Sequence, residues 1–326
     1  MAEMTGTKAF NVAMKELMEK DDKILVLGEG VGRKGGTWGY FADLWTTYGN
    51  SRMIDTPIAE AGFSCVGNGL AYGGYRPVIE YMFADFSSLG FDAIVNQAAK
   101  ARYNSNGELS LPITFIMPNS GGGKSGNQHS QSVEAWYSNA PGLKIVTPTT
   151  PGDVRRFLKA AILDDDPVVF MHARGMMFMS EEVDETDMSI PSLANAGKIV
   201  TEGKDLTIVS WHRMLPRCLE AAAEVTKETG KTIEVIDPRV LLPFDIDTVV
   251  KSVAKTGKAM VVHEAPARGG FGMQVSAMIG ENCLKDLKAP VKRIGGYNTS
   301  IPFGVGEEYA YPQVEDIKVG IMELLK

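Results

Sequence analysis

The chain has 326 residues, 44% of them hydrophobic and 22% charged, with a net charge of −7 and a pI of about 5.3. That balance fits a globular protein long enough for two cores, and it excludes a basic footprint for nucleic acid. No apolar run reaches the ~20 residues of a membrane span, the first residues lack a secretory pattern, and three distant cysteines (Cys65, Cys218, Cys283) suit a reducing compartment, so a cytoplasmic protein is expected.

Short β-branched runs alternate with helical stretches along the chain. A helix is expected over Thr7–Met18, followed by a buried strand at Lys23–Leu27. Glu60–Tyr72 reads as a helix rich in small residues. Pro77–Met82 reads as a strand, Phe86–Arg102 as an amphipathic helix, and Pro112–Met117, Lys144–Thr147 and Pro167–Met171 as further strands. Pro151–Leu163 follows Thr149 and Thr150, which supply a cap before a proline in the first turn. The acidic, aperiodic stretch 181–197 reads as a linker between a first domain (1–180) and a second (198–326). In the second domain, strands are expected at Leu206–Trp211, Thr232–Ile236, Ala259–His263 and Val291–Ile294. Helices are expected at Pro216–Thr229, Ile246–Lys255, Met273–Leu284 and Val314–Leu325. Strands alternating with helices imply two α/β domains, each built on a parallel sheet. Ligands of such sheets sit at the carboxyl ends of the strands.

Four segments at those ends carry chemistry. Asp55-Thr-Pro-Ile-Ala-Glu60-Ala-Gly62 places a carboxylate at a helix start. Glu60 there is either a cap held by the helix dipole or a desolvated acid for a cofactor. Ser120–Ser132 is glycine-dense and leads to His129, which is either loop structure or a group that contacts an anion or moves a proton. It lacks the Gly-x-x-x-x-Gly-Lys-Ser/Thr spacing of a phosphate loop. Glu80–Phe86 offers aromatics that serve the core or a wall for a heteroaromatic ring. Val262–Gly272 has glycines that open a helix, for an anion or for close packing. His172 and His212 have no partners at metal spacing and are expected to be structural or exposed. No His-Glu-x-x-His or Gly-x-Ser-x-Gly occurs.

Several segments occur together and in order: Leu27-Gly-Glu29, Asp55–Gly62, Phe83-Ala-Asp-Phe86, Ile94–Lys100, His129–Trp136, Pro141–Lys144 and His263–Pro266 with Gly269–Gly272. Together they resemble the beta subunit of the thiamine-dependent decarboxylating component of 2-oxo acid dehydrogenase complexes, the family of pyruvate, branched-chain and acetoin dehydrogenases. The resemblance implies a transketolase-type pyrimidine-binding domain followed by a transketolase C-terminal domain. It further implies two alpha and two beta chains with thiamine diphosphate at the alpha–beta interface, and a lipoyl-bearing dihydrolipoyl acyltransferase as acyl acceptor. The Gly-Asp-Gly that opens the diphosphate signature of thiamine enzymes is absent here. Magnesium and the diphosphate are therefore expected on the alpha chain.

By the same resemblance, Glu60 is the glutamate that hydrogen-bonds the aminopyrimidine ring nitrogen and favours the imino tautomer. Phe86 lies beside the pyrimidine, with Ile58 and Met82 lining the ring, and Glu29 is an acid near the cofactor. His129 faces the incoming lipoyl group. Asp164 and Asp166 fall where several members bind a structural potassium ion. The chain departs from the family at His172-Ala-Arg-Gly, at Met82, and at Gly121–Gln128, which is closer to acetoin-type members. The expected activity is oxidative decarboxylation of a small 2-oxo acid, of the pyruvate dehydrogenase type. An acetoin dehydrogenase beta subunit, a split transketolase and a non-catalytic assembly subunit are the alternatives.

Overall fold

The computed structural model describes residues 1–326 and divides into two compact units. The first comprises residues 1–119 and 136–193, and the second comprises residues 120–135 and 194–326. The glycine-dense stretch after Asn119 thus sorts with the second unit.

The first unit contains strands β1 (Ala2–Thr5), β2 (Ile24–Gly28), β3 (Met53–Asp55), β4 (Arg76–Glu80), β5 (Thr114–Asn119), β6 (Lys144–Val146), β7 (Val168–Ala173) and β8 (Ser180–Val183). Its helices are α1 (Gly6–Met18), α2 (Leu44–Arg52), α3 (Glu60–Tyr72), the single turn α4 (Ala101–Asn104) and α6 (Pro151–Leu163). The single turn α5 (Glu134–Tyr137) lies at the boundary between the units. Six strands form a parallel sheet in the order β6-β7-β5-β4-β2-β3, with Gly28 opposite Glu80 and Asp55 in the register. Strands β2, β5 and β7 are buried throughout, as expected for a sheet covered on both faces. Helix α6 has the bounds that its sequence announces, because the Thr150 hydroxyl accepts from the Asp153 amide and Pro151 occupies the first turn.

Two expectations change. The stretch 86–102 is not one amphipathic helix. It breaks into a π turn (Ala93–Gln97), a 3-10 turn (Ala98–Lys100) and α4. The Asn68 amide donates to the Ala93 carbonyl (2.8 Å), which the Ala98 amide also reaches in an i to i−5 bond. A side chain inserted into the ladder is a known cause of such a break. The acidic stretch 181–197 does not start as a free connection either. Its first residues belong to β8, which pairs antiparallel with β1. Next to it, the buried Arg155 guanidinium donates to the carbonyls of Asp184 (2.7 Å) and Glu185 (2.8 Å) and pairs with Glu16.

The second unit contains β9 (Lys198–Thr201), β10 (Leu206–Ser210), β11 (Ile233–Asp237), β12 (Val240–Leu242), β13 (Ala259–Pro266) and β14 (Lys292–Gly296), with α7 (Met214–Thr229), α8 (Ile246–Thr256), α9 (Gly272–Cys283) and α10 (Val314–Leu325). Five strands run in the order β14-β13-β10-β11-β9. Four are parallel, but β9 is antiparallel at the edge, so this sheet is mixed rather than purely parallel. Met214, Leu215, Cys218 and Val225 of α7 meet Ile317, Ile321 and Leu324 of α10 over Leu206 and Ile208 in one core. No helix is long and apolar enough to cross a membrane.

Candidate functional site

In the first unit the candidate residues gather at the carboxyl ends of three adjacent strands, where a parallel sheet presents its ligands. Strand β2 delivers Glu29, β3 leads through the exposed Ile58 to Glu60, and β4 ends on Glu80 and runs into Met82 and Phe86. Glu60 is buried at the first position of α3, yet no side chain caps this helix start. Burial raises the pKa of Glu29, and the Glu60 charge raises it further. Glu80 is fully buried with neither carboxyl oxygen hydrogen-bonded. Burial, and then the charge on Glu29, push its pKa up to about 8. The sheet end is thus a row of acids in which each raises the proton affinity of the next.

Beside them stands an aromatic wall. Phe86 meets Phe83 edge-on at 5.6 Å between centroids, and Phe83 meets Trp38 edge-on at 5.4 Å. The Trp38 indole donates to the Met82 carbonyl (2.9 Å). The buried Arg174 guanidinium lies 5.1 Å from the Phe83 centroid and 5.5 Å from that of Trp38. Met82 and Phe86 remain half-buried, so their side chains can still contact a ligand. An unattached buried carboxylate near a half-open aromatic wall fits a flat heteroaromatic ring with a polar nitrogen. Trp38, Glu80 and Arg174 are additions to the expected set. A charged residue directly after the buried apolar run Pro77–Ile79 was the available signal for Glu80.

His129 is placed in the second unit, half-buried, on a loop whose stem closes through the Ser120 amide donating to the Gln131 carbonyl (3.0 Å). The loop is fastened by two buried glutamates. The Glu264 carboxylate accepts from the Gly121 amide (2.7 Å), and that of Glu307 accepts from the Gly122 amide and from the Ser130 hydroxyl (3.2 Å). Neither glutamate was among the expected residues.

The transketolase pyrimidine binding domain family matches residues 2–178, and the transketolase C-terminal domain family matches residues 195–317. The 2-oxoisovalerate dehydrogenase subunit beta of Bacillus subtilis (strain 168) is 39% identical, with 99% of each chain covered. The mitochondrial pyruvate dehydrogenase E1 component subunit beta-1 of Oryza sativa subsp. japonica is 41% identical over 97% of this chain and 85% of its own length. The chain belongs to the beta subunits of the thiamine-dependent 2-oxo acid dehydrogenases. Such beta subunits are catalytic together with an alpha subunit. A solved structure described as a split gene transketolase, inactive beta4 tetramer, shares the fold, with a TM-score of 0.77, 24% identity, and 99% of this chain and 98% of that chain covered.

Two other segments of this beta subunit named from the sequence lie outside the acid row. The glycines of the Val262–Gly272 segment serve packing rather than an anion. Gly270 and Gly272 close around the buried His263 ring, which stacks on Trp211 at 5.9 Å. A Cβ on Gly272 would stand 2.1 Å from His263 Cδ2, and one on Gly270 would stand 2.7 Å from Cε1. Asp164 and Asp166, expected at a potassium site, are instead neutralised by the chain itself. The Lys144 ammonium donates to both Asp164 oxygens (2.6 and 2.7 Å), and Arg102 pairs with Asp166 (2.6 Å). Arg76 takes the nearby carbonyls of Ile162 and Asp164 (3.3 and 3.0 Å). With these cations on their oxygens, the two aspartates form an ion-pair cluster on the turn. His172 and His212 are both buried, as structural residues. His172 packs in an aromatic cluster with Phe10 and Tyr40, and His212 lies 3.7 Å from Glu134.

Proposed function

We propose that this beta subunit holds the aminopyrimidine end of thiamine diphosphate through Glu60, and that an alpha chain holds the diphosphate and its magnesium. The pair, as two alpha and two beta chains, oxidatively decarboxylates a small 2-oxo acid of the pyruvate type and passes the acyl group to the lipoyl group of an acyltransferase. The observation that carries this reading is Glu60: a buried acid at the carboxyl end of a parallel sheet, not used as a helix cap, and close enough to Glu29 to raise its pKa. Thiamine diphosphate, when bound, supplies a nucleophilic thiazolium carbon and an electron sink for the departing carbon dioxide.

The residues of this chain have distinct tasks. Glu60 shares a proton with the pyrimidine ring nitrogen. Glu29, whose proton affinity is raised by burial and by Glu60, stands beside it as a group able to exchange a proton. Phe86, with Phe83 and Trp38 behind it, covers the ring face, and Met82 and Ile58 line its edge and keep water away. His129 meets the lipoyl group. The need for a partner is supported by α3. Its outward face of Ala61, Gly62, Cys65, Val66, Gly69 and Tyr72 is exposed and carries no charge, as in a helix built to be covered by another chain.

The test is reconstitution with the cognate alpha chain. The complex should decarboxylate pyruvate or a branched-chain 2-oxo acid, and Glu60→Ala should lower that rate by about 100-fold or more, the range for loss of a positioned proton-transfer group. A Glu60→Ala complex that keeps near-full activity would remove the assignment. Acetoin cleavage without 2-oxo acid turnover would move the subunit to the acetoin class.

A further inference from the structure

We propose that Glu307 is a positioning residue for acyl transfer to the lipoyl group, acting by clamping the loop that carries His129. The proposal rests on the reading of His129 given above. Glu307 lies in the 3-10 turn Gly304–Ala310 and is fully buried. Its two oxygens grip opposite ends of one loop: one accepts from the Gly122 amide and the other from the Ser130 hydroxyl. Ser130 directly follows His129 and is held a second time, since the Tyr311 hydroxyl donates to its carbonyl (3.1 Å). At the loop tip the His129 amide donates to the Gly126 carbonyl (3.2 Å), and Gly126 lies so close to Phe303 that an added Cβ would fall within 2.4 Å of the ring. The Gly304 amide donates to the Lys124 carbonyl (3.1 Å), which fastens the same turn to the loop from the other side.

The chemistry of this arrangement is unequal. A glycine-dense loop has the backbone freedom to wander, and ordering each residue costs about 1–2 kcal/mol of conformational entropy. A buried carboxylate with two donors in place opposes that wandering, because hydrogen bonds to a charged acceptor are roughly twice as strong as neutral ones. The Glu264 carboxylate extends the clamp by taking the Gly121 amide, and it is itself held by Arg213 (3.1 Å). None of these contacts is made by Glu29, Glu60 or Glu80, so the clamp should govern the lipoyl step and leave decarboxylation alone. A group that only has to stand about 3 Å from its substrate loses much of its effect when it is misplaced by 1 Å.

The test uses the alpha–beta complex in two assays: acylation of a free lipoyl domain, and 2-oxo acid decarboxylation coupled to an artificial electron acceptor. Glu307→Ala should lower lipoyl-domain acylation 10- to 100-fold and change the artificial-acceptor rate less than about three-fold, the scale of loss seen when catalytic geometry slips. Glu307→Gln should restore most of the loss, because its amide oxygen still accepts from Gly122 and its NH2 can donate to the Ser130 hydroxyl. His129→Ala/Glu307→Ala should acylate no worse than His129→Ala alone. If Glu307→Ala does not assemble, Ser130→Ala, which removes a single hydroxyl, carries the same split between assays. Equal losses in both assays, or additive losses in the double variant, would overturn the proposal. Full lipoyl acylation by His129→Ala would instead refute the role of His129. The clamp is then judged by hydrogen exchange at Gly121–Ser130, which should speed up in Glu307→Ala and would refute the clamp if unchanged.

Discussion

Replacing Glu80 by glutamine should flatten the pH dependence of stability. The carboxyl ends β4 with no exposure and no hydrogen bond, and its pKa rises from the ordinary 4.5 to about 8. Glu29 adds to this through its charge, and Tyr40 on the neighbouring loop is raised in turn by burial and by Glu80. The folded pKa lies above the unfolded one, so Glu80 lets the fold keep its full stability below about pH 4.5. As pH rises further, the unfolded chain releases the proton while the folded chain retains it, and stability falls until about pH 8. At about 1.36 kcal/mol per pH unit, the loss between pH 5 and 8 is about 3 kcal/mol. Glutamine has the same shape and no proton to lose. Urea unfolding of wild type and Glu80→Gln at pH 5, 6, 7 and 8 should therefore give curves that diverge, with the variant gaining about 3 kcal/mol relative to wild type across the series. Any constant offset from the second amide hydrogen does not affect that slope. Parallel curves would mean that Glu80 is ionised in the folded protein, and the reasoning about the acid row would fail with it.

Two further predictions concern parts of the fold that position the site. Gly272→Ala should destabilise the second unit by about 3 kcal/mol, because the new Cβ meets the His263 ring at 2.1 Å and that ring has no room against Trp211. The check is the midpoint of urea unfolding, and a wild-type midpoint would show that the helix start has slack. Arg155→Ala should cost about 3 kcal/mol, the lower end of the penalty for breaking a buried charge pair, since it leaves the carbonyls of Asp184 and Glu185 without their donor while Lys159 still pairs with Glu16. Limited proteolysis should then cut faster between Asp184 and Ser189, and an unchanged rate would show that β8 holds the segment without the arginine.

What the sequence disclosed follows the range of the forces involved. Helix α6 was legible to the residue because its cap, its proline and its apolar spacing all lie within it. Strand β1 was not, because its partner β8 begins more than 170 residues later in the chain. The break in 86–102 was hidden for the same reason, since Asn68 imposes it from another helix. Strand β9 is exposed along its whole length and antiparallel at an edge, so it carries neither alternation nor an apolar run. The candidate residues of the two units divide in the same way. Glu60 and His129 came forward through motifs, whereas the burial of Glu264 and Glu307 depends on a loop more than 130 residues earlier.

The buried acids, compared with one another, give an argument for Glu60 that is independent of family resemblance. Each carboxylate removed from water needs a partner or a proton. Glu234 takes the Lys255 ammonium, Glu134 takes the Trp211 indole, and Glu264 and Glu307 take backbone amides of the His129 loop. Glu80 has no partner and keeps its proton to about pH 8. Glu60 is placed otherwise: its helix start is left uncapped, and it lies close enough to Glu29 to raise the pKa of that residue. A carboxylate that a folded chain buries and then does not use is available to a ligand. On the proposed function, the lone pairs of Glu60 would be satisfied when a ring with a polar nitrogen is in place, and cofactor binding would then be coupled to the electrostatics of the acid row.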